Sequence, residues 1–596
     1  MTHAQSGMQD DTATAIDVLT GLLGGVEVVS VHEPKPGRKF VPGADNSNPP
    51  TNAVEHALQR AARTADFGEY TAWLDHTGSA GGCVAPIRLR GESHVVSERT
   101  GRIVSTRHTE DMPDGVIYKA CGNRRAAVCP SCAEIYRGDT YQLVLAGLRG
   151  GKATPVSVAQ HPCAFVTFTA PSFGPVHSAR KHRGKDGQLR NQVCRPRRNP
   201  DLCPHGVDLR CHQTHGEDEK ILGTPLCLDC YDHDHQVVWN ALSGELWRRT
   251  MDRAKDILRA WGRDHGIAVK LSYGKVAEMQ ARGVAHFHAL VRLDGSTYVT
   301  GHEIHRHRTS DKTGRHLACM PKRRPETCPH GVVIQCRIKH APDAPELGQP
   351  LCPQCAEQRR AGIHILAKPH LSADHALVHH AVRTAVERTR FRSLPHPDNA
   401  DGWLIEWGAQ LDVRPVRQTV EDEITDTAVA GYLAKYATKG AEATGHSSAR
   451  LTAATVNLYA NQYSHAGRLV DACWRLGRPG SDLDEDEAAK NSGRLSYRRL
   501  QRWAHMLGFG GHFSTKSRQY STTLKALREA RANWRRDHHR TQDHTDDTET
   551  TLIVGNFTYA GTGWKTTGDA LLANTAAAKA REHRLLIKEL FAEDND

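Results

Sequence analysis

Apolar residues recur at two different periods along this chain, and the switches between them outline its elements. Residues 160–172 and Leu271 to Gln280 alternate as strands do, and Val284 to Leu293 is an apolar run that carries His286 and His288. Ala281-Arg282-Gly283, between the last two, has the length and the glycine of a three-residue hairpin loop. Trp403 to Val416 alternates again, with Trp403, Ile405 and Trp407 on one face and Leu411, Val413 and Pro415 in phase with them. Helical spacing predicts helices over Ala133 to Leu148, which Gly150-Gly151 ends, and over Gln236 to His265, where Val237, Leu242, Leu246, Ile257, Leu258 and Trp261 supply the apolar side. Residues 372–391 and 427–439 also read as helices, the latter with Gly440 as its C-terminal cap. Leu495 to Leu507, Thr522 to Asp537 and Ala570 to Phe591 complete a helical C-terminal region. Strand, hairpin, strand and helix in this order suit an α+β fold, an antiparallel sheet with helices on one face.

The hairpin carries the most specific chemistry. Residues i and i+2 of a strand face one side, so His286 and His288 project together while Phe287 enters the opposite layer. The loop sets a register in which Gln280 faces Val284 and Glu278 faces His286. Glu278, His286 and His288 then share one face as an open site for a divalent metal. The helix at 427–439 reads Tyr432-Leu433-Ala434-Lys435-Tyr436-Ala437-Thr438-Lys439. Positions four apart are neighbours, so Tyr432 stacks on Tyr436, and Lys435 and Lys439 lie beside them. A phenol can attack a phosphodiester and hold it as an ester, and an ammonium nearby can stabilise the charge that develops. Taken singly, a His-x-His pair is more often incidental and two half-buried tyrosines are more often packing. Their occurrence together is what argues for a site.

A histidine pair followed by a tyrosine helix resembles the HUH endonucleases, and their order here resembles rolling-circle replication initiators rather than conjugative relaxases. Phe165-Val166-Thr167-Phe168-Thr169-Ala170-Pro171 fits the early strand motif of that superfamily. Further strings narrow the resemblance to the replication initiators of actinomycete plasmids, the RepSA-like proteins. These are Arg124-Arg125 before Cys129-Pro130-Ser131-Cys132, Tyr136-Arg137-Gly138-Asp139-Thr140, Ala170-Pro171-Ser172-Phe173-Gly174-Pro175-Val176-His177, Trp407-Gly408-Ala409-Gln410, and Gly511-His512-Phe513-Ser514-Thr515-Lys516-Ser517-Arg518. The resemblance implies an antiparallel HUH-endonuclease-type sheet. It also implies Mg²⁺ or Mn²⁺ at Glu278, His286 and His288, Tyr436 as first nucleophile with Tyr432 as second, and assistance from Lys435 and Lys439. The expected function is plasmid rolling-circle initiation, in which single-stranded or hairpin origin DNA is nicked and rejoined through a 5′-phosphotyrosine intermediate. A host helicase and DNA polymerase would then act on the product.

Composition adds zinc and a basic surface to this picture. The 596 residues are 38% hydrophobic and only 6% aromatic, so substantial loops are expected around the core. Lys plus Arg is 78 against 67 for Asp plus Glu, a net charge of +11 that suits a polyanion. No leader or membrane span is evident, so the reading is cytoplasmic, a reducing compartment in which sixteen cysteines argue for metal rather than disulfides. Cys203, Cys211, Cys227 and Cys230 recur as Cys328, Cys336, Cys352 and Cys355, each 125 residues on, and Cys194 recurs likewise as Cys319. Each set of four thiolates is expected to hold one structural Zn²⁺, with His205, His330, Cys194 and Cys319 as possible substitutes for a fourth ligand. Cys83, Cys121, Cys129 and Cys132 make a third cluster, while burial accounts for Cys163 and Cys473.

The expected domains are a disordered leader at 1–60, an N-terminal zinc module at 80–150, and a nicking domain at 160–445 with zinc insertions at 194–230 and 319–355. A basic helical DNA-binding region follows at 450–540, then an acidic linker and C-terminal helix at 541–596. Within 511–540, eight Lys/Arg stand against two Asp/Glu, and Phe513, Tyr520 and Trp534 are candidates for base stacking. Two rival functions stay open. One is a two-tyrosine HUH transposase. The other is a zinc-ribbon regulator that binds nucleic acid without catalysis.

Overall fold

A computed structural model describes residues 53–97, 100–184, 188–216, 219–265, 269–295, 373–416, 425–439, 450–480, 496–542 and 551–593, with short paired segments at 297–298, 326–327, 333–334 and 365–366. Residues 1–52 of the expected leader, the expected zinc ligands Cys328, Cys336, Cys352 and Cys355, and Gly440 lie outside them.

The central element is a five-stranded antiparallel sheet. Its strands are β1 (Cys163–Phe168), β2 (Lys270–Met279), β3 (Ala285–Asp294), β4 (Leu411–Pro415) and β5 (Ser514–Lys516), in the order β4-β1-β3-β2-β5. The helices that pack on it are α1 (Pro130–Arg149), α2 (His233–Asp264), α3 (His375–Arg388), α4 (Asp426–Tyr436) and α5 (His465–Leu476). They cover both faces of the sheet, not one as the sequence reading expected. The odd-numbered residues of β3, from Ala285 through Phe287, Ala289 and Val291 to Leu293, belong to the large core with α2, α3 and α5. Leu290, Val276 and Cys163 on the other face pack under α1 and α4 with Val144, Leu148, Val429, Ala430 and Leu433.

Every residue of β3 is buried, so the even-numbered face has to keep its polar groups paired. At the base of the strand it does. Arg292 Nε donates to Asp294 Oδ1 at 2.7 Å, the ring of His161 contacts the same oxygen at 2.7 Å, and Ser272 Oγ donates to Oδ2 at 2.5 Å. Burial alone would raise the Asp294 carboxyl pKa, but these partners hold it below the usual carboxylate range. Arg292 also donates to the carbonyls of Gly147 and Tyr520, tying β3 to α1 and to the chain after β5. Asp294→Asn is expected to destabilise the fold by about 3–5 kcal/mol, because it strands a buried guanidinium. Denaturant unfolding at neutral pH measures this.

Lys275, on the apolar face of β2, has its ammonium 4.1 Å from the Phe287 ring centroid and 5.3 Å from that of Trp247. Burial brings its pKa down to about 7. A lysine with a depressed folded pKa binds its proton more readily when unfolded, so its contribution to stability rises with pH from about 7 to the unfolded value near 10.4. Lys275→Met is expected to stabilise the protein by about 2–4 kcal/mol at pH 7 and to flatten this rise. Melting curves across pH 6.5–10 test both effects.

The two ends of the described chain pack against each other. Ala53–Thr64, assigned to the disordered leader up to residue 60, is a helix. Its Gln59 side chain accepts from Gly568 N at 2.9 Å, and Arg63 pairs with Asp569 at 2.7 Å. The strand Ile87–Ser97 pairs antiparallel with Thr551–Thr562 along its whole length, so the C-terminal region is not purely helical. Trp73, Tyr118 and Trp564 fill the small core beneath.

Candidate metal and tyrosine site

The hairpin between β2 and β3 has the register its loop predicts. Glu278 is paired with His286, Gln280 N donates to Val284 O at 3.0 Å, and Gly283 adopts φ 75°. Its tip is clamped rather than free. Asn240 on α2 donates to Gly283 O and accepts from Ala285 N, and the Arg282 carbonyl accepts from Gln236 and contacts the His465 ring.

On the even face, His288 is the centre of contacts. Its Nε2 lies 3.4 Å from Glu278 Oε2 and 3.4 Å from the Tyr432 hydroxyl, and its Nδ1 lies 3.3 Å from Thr167 Oγ1. The Phe165 ring stacks on the imidazole at 5.7 Å with 5° between planes. Thr167 and Phe165 lie in the strand motif singled out in the sequence, but nothing local marks them as supports of His288. His286 lies beside it, ring centroids 4.7 Å apart, and its Nδ1 is buried without a hydrogen-bond partner. Burial, then the neighbouring His288 and Arg282, bring the His286 pKa down to about 3, which keeps the ring neutral and able to donate a lone pair.

Both tyrosines reach this face. Their ring centroids are 4.5 Å apart, and those of Tyr432 and Tyr436 are 5.1 and 5.8 Å from that of His288. Tyr432 is 39% exposed, open to an incoming strand. Burial of its phenol, then Tyr436 and Glu278, push its pKa above the ordinary tyrosine value. The helix ends at Tyr436, three residues earlier than expected. Lys439 therefore leaves the helical i,i+4 row with Lys435. Its ammonium instead sits 4.4 Å from the Tyr436 ring centroid and 3.5 Å from Glu278 Oε1, while that of Lys435 is 6.0 Å from the same ring.

The segment that carries the Cys83–Cys121–Cys129–Cys132 cluster holds α4 at both ends. Arg149, at the end of α1, pairs with Asp426 in the first turn of α4. From the loop between Cys121 and Cys129, Arg124 donates to the carbonyls of Ala437 and Lys439 at 3.0 and 2.7 Å, and Ala126 N donates to Thr438 O at 3.2 Å. These bonds pair the carbonyls of the turn that follows α4.

Three groups among the described residues bring four ligand atoms within 4.8 Å of one another, and Glu278–His286–His288 is not one of them. Cys83, Cys121, Cys129 and Cys132 form the first, as grouped from sequence. The four thiols of the 194–230 insertion, expected around one ion, fall into two groups. Cys203, Cys227 and Cys230 gather with His205, whereas Cys211 joins Cys194, His177 and His215 in a separate group. Spacing alone could not divide these thiols, since the stretches from Cys194 to Cys203, Cys203 to Cys211 and Cys211 to Cys227 are each long enough to close either way. A signal for the two missed histidines does exist. His177 and His215 recur as His302 and His340, at the same 125-residue offset as the cysteines.

The basic stretch near the C-terminus is also partly structural. Arg528 and Arg531 both pair with the buried Asp139, Tyr520 is wholly buried, and Phe513 is buried beneath the Arg124 guanidinium. Of the three aromatics offered for stacking, Trp534 alone is exposed. No helix among the described residues is long and apolar enough to cross a membrane.

No solved structure matches the chain. The family model described as "Replication initiator protein, pSAM2" matches residues 69–303 and 358–578. A replication initiator protein of Streptomyces ambofaciens is 34% identical over 544 residues, covering 90% of this chain and 95% of the relative. With the match spanning both the hairpin and the tyrosine helix, the chain belongs to the RepSA family of actinomycete replication initiator proteins.

Proposed function

We propose that this initiator is an HUH-type endonuclease that nicks and rejoins single-stranded plasmid origin DNA through a phosphotyrosine. The observation that carries the reading is the contact of the Tyr432 hydroxyl with His288 Nε2, on the nitrogen that also faces Glu278. Two imidazoles, that of His286 kept neutral by burial and with an unpartnered buried nitrogen, and a carboxylate are a donor set that fits Mg²⁺ or Mn²⁺. Such an ion, held by Glu278, His286 and His288, supplies Lewis-acid polarisation of the scissile phosphate.

The chain's own residues account for the remainder. Tyr436 attacks first, with the ammonium of Lys439 beside its ring to stabilise charge developing at the phosphate. The P–O bond to the leaving 3′ oxygen breaks, and its 3′-hydroxyl becomes a primer for a host polymerase. Tyr432, the phenol with the raised pKa, is held in reserve for the second transfer, when the regenerated origin returns. An ester replaces an ester at each step, so rejoining needs no nucleotide hydrolysis. Unwinding is left to a host helicase.

The test is incubation with single-stranded origin oligonucleotides and Mn²⁺, with a chelator as control. A covalent protein–DNA adduct is expected with the metal alone. Trypsin cuts after Lys435 and so separates Tyr432 from Tyr436, and the nucleotide is expected on the peptide Tyr436-Ala437-Thr438-Lys439. Binding without adduct under every metal condition would leave a non-catalytic DNA-binding protein.

A further inference from the structure

We propose that His177, Cys194, Cys211 and His215 bind a zinc ion of their own, and that this ion fixes the segment against which the tip of the β2–β3 hairpin rests. The proposal does not depend on the nicking reading.

The four residues come from three separate stretches of the insertion, yet their contacts already have the spacing of a coordination shell. His177 Nδ1 lies 3.3 Å from His215 Nε2, and Cys211 Sγ lies 3.3 Å from the same nitrogen. Zinc bonds of about 2.0–2.3 Å in a tetrahedron put neighbouring ligand atoms roughly 3.3–3.8 Å apart. Cys194, Cys211 and His215 are buried, and His177 is half-buried. Both outer contacts suit metal ligation. His215 Nδ1 meets Glu219 Oε2 at 2.8 Å, the carboxylate partner that fixes which nitrogen of a ligating histidine is free. Ser178 N donates to Cys194 Sγ at 3.3 Å, a backbone contact that orients the sulfur. The sequence adds an independent argument, since all four ligand types recur with this spacing at 302, 319, 336 and 340.

What such an ion would hold follows from the neighbours of His177. Its backbone accepts from Gly223 N and donates to Thr224 O, both at 2.9 Å. Gly223, at φ +79°, lies against the hairpin tip so closely that a Cβ there would sit 2.5 Å from Arg282 N. The ligand strand and the tip of the hairpin thus share one glycine contact. The neighbouring Cys203–His205–Cys227–Cys230 group uses no ligand from this set.

The experiment measures zinc per full-length chain by elemental analysis, together with hydrogen exchange. His177→Ala and His215→Ala are each expected to lose one zinc relative to wild type, and His177→Cys to retain it. Cys203→Ser should lose a different one, so that the Cys203→Ser/His215→Ala double variant loses two. Glu219→Gln, a change outside the ligand shell, is expected to weaken one zinc by about 10–100-fold in a chelator competition. Residues 281–284 should exchange faster in His177→Ala than in Cys203→Ser. Unchanged zinc in both histidine variants, or a double variant that loses only one ion, overturns the separate site. Unchanged exchange at the hairpin tip overturns its structural role.

Discussion

The Tyr432→Phe/Tyr436→Phe double variant is expected to bind origin DNA normally and to form no covalent adduct, a loss of on the order of 10³-fold or more. Phenylalanine keeps both rings, and with them the packing of Tyr432 on Phe165 and on Tyr436, so the helix is retained. Only the two hydroxyls that can become phosphate esters are removed. The single variants separate the roles. Tyr436→Phe should lose the first nick, whereas Tyr432→Phe should nick but fail to complete strand rejoining after a round of synthesis. Denaturing gels with labelled oligonucleotides read out both. Adduct at the wild-type level in the double variant would put the nucleophile elsewhere in the chain.

The second large effect is expected from a change remote from the phosphate. Replacing Cys129 and Cys132 by serine removes two ligands of the first metal group, in which Cys83 and Cys129 lie 3.9 Å apart and Cys121 and Cys132 lie 3.7 Å apart. Structural zinc contributes on the order of 10–16 kcal/mol in small modules, so the loop that carries Arg124 and Ala126 would lose its frame. That loop caps the end of α4, and Cys129 itself begins α1. Adduct formation is therefore expected to fall by about 10²-fold or more although no residue near the phosphate has changed, and the amides of 426–439 to exchange faster. Full nicking by a variant shown to lack this zinc would separate the module from the tyrosine helix.

Local signals in the chain were sufficient for the hairpin. A three-residue loop with Gly283 in the left-handed region leaves one register, and that register puts Glu278 opposite His286. Helices α1, α2 and α3 follow their apolar spacing to within a few residues. What failed was non-local. Trp403 to Val416 reads as one alternating strand, but it breaks at Gly408, where a Cβ would lie 2.4 Å from Ala170 O. Leu404–Glu406 consequently pairs with Arg390–Arg392 and β4 alone joins the sheet. The strand Thr551–Thr562 was missed because its partner lies more than 450 residues away, at Ile87–Ser97. The expected helix over Leu495 to Leu507 is reduced to Arg499–Arg502 and a turn of 3₁₀ helix. For the site, residue identity pointed to the histidines and tyrosines, but the support of His288 by Thr167 and Phe165 depends on β1 lying beside β3, which no spacing reveals.

The closure of Thr551–Thr562 onto Ile87–Ser97 bears on when this initiator becomes complete during synthesis. Ile87–Ser97 is flanked on its other side by Ile103–His108 and Ile117–Lys119, so without its late partner it has an open edge. Trp564 Nε1 also donates to Cys83 O at 2.8 Å, tying this late part of the chain to the first cysteine of the N-terminal cluster. A nascent polypeptide still threaded through the ribosome thus has its histidines and tyrosines emerged but its N-terminal module unfinished. Translation through Trp564 supplies these partners, and a frameshift before Thr551 should leave an initiator prone to edge-to-edge aggregation.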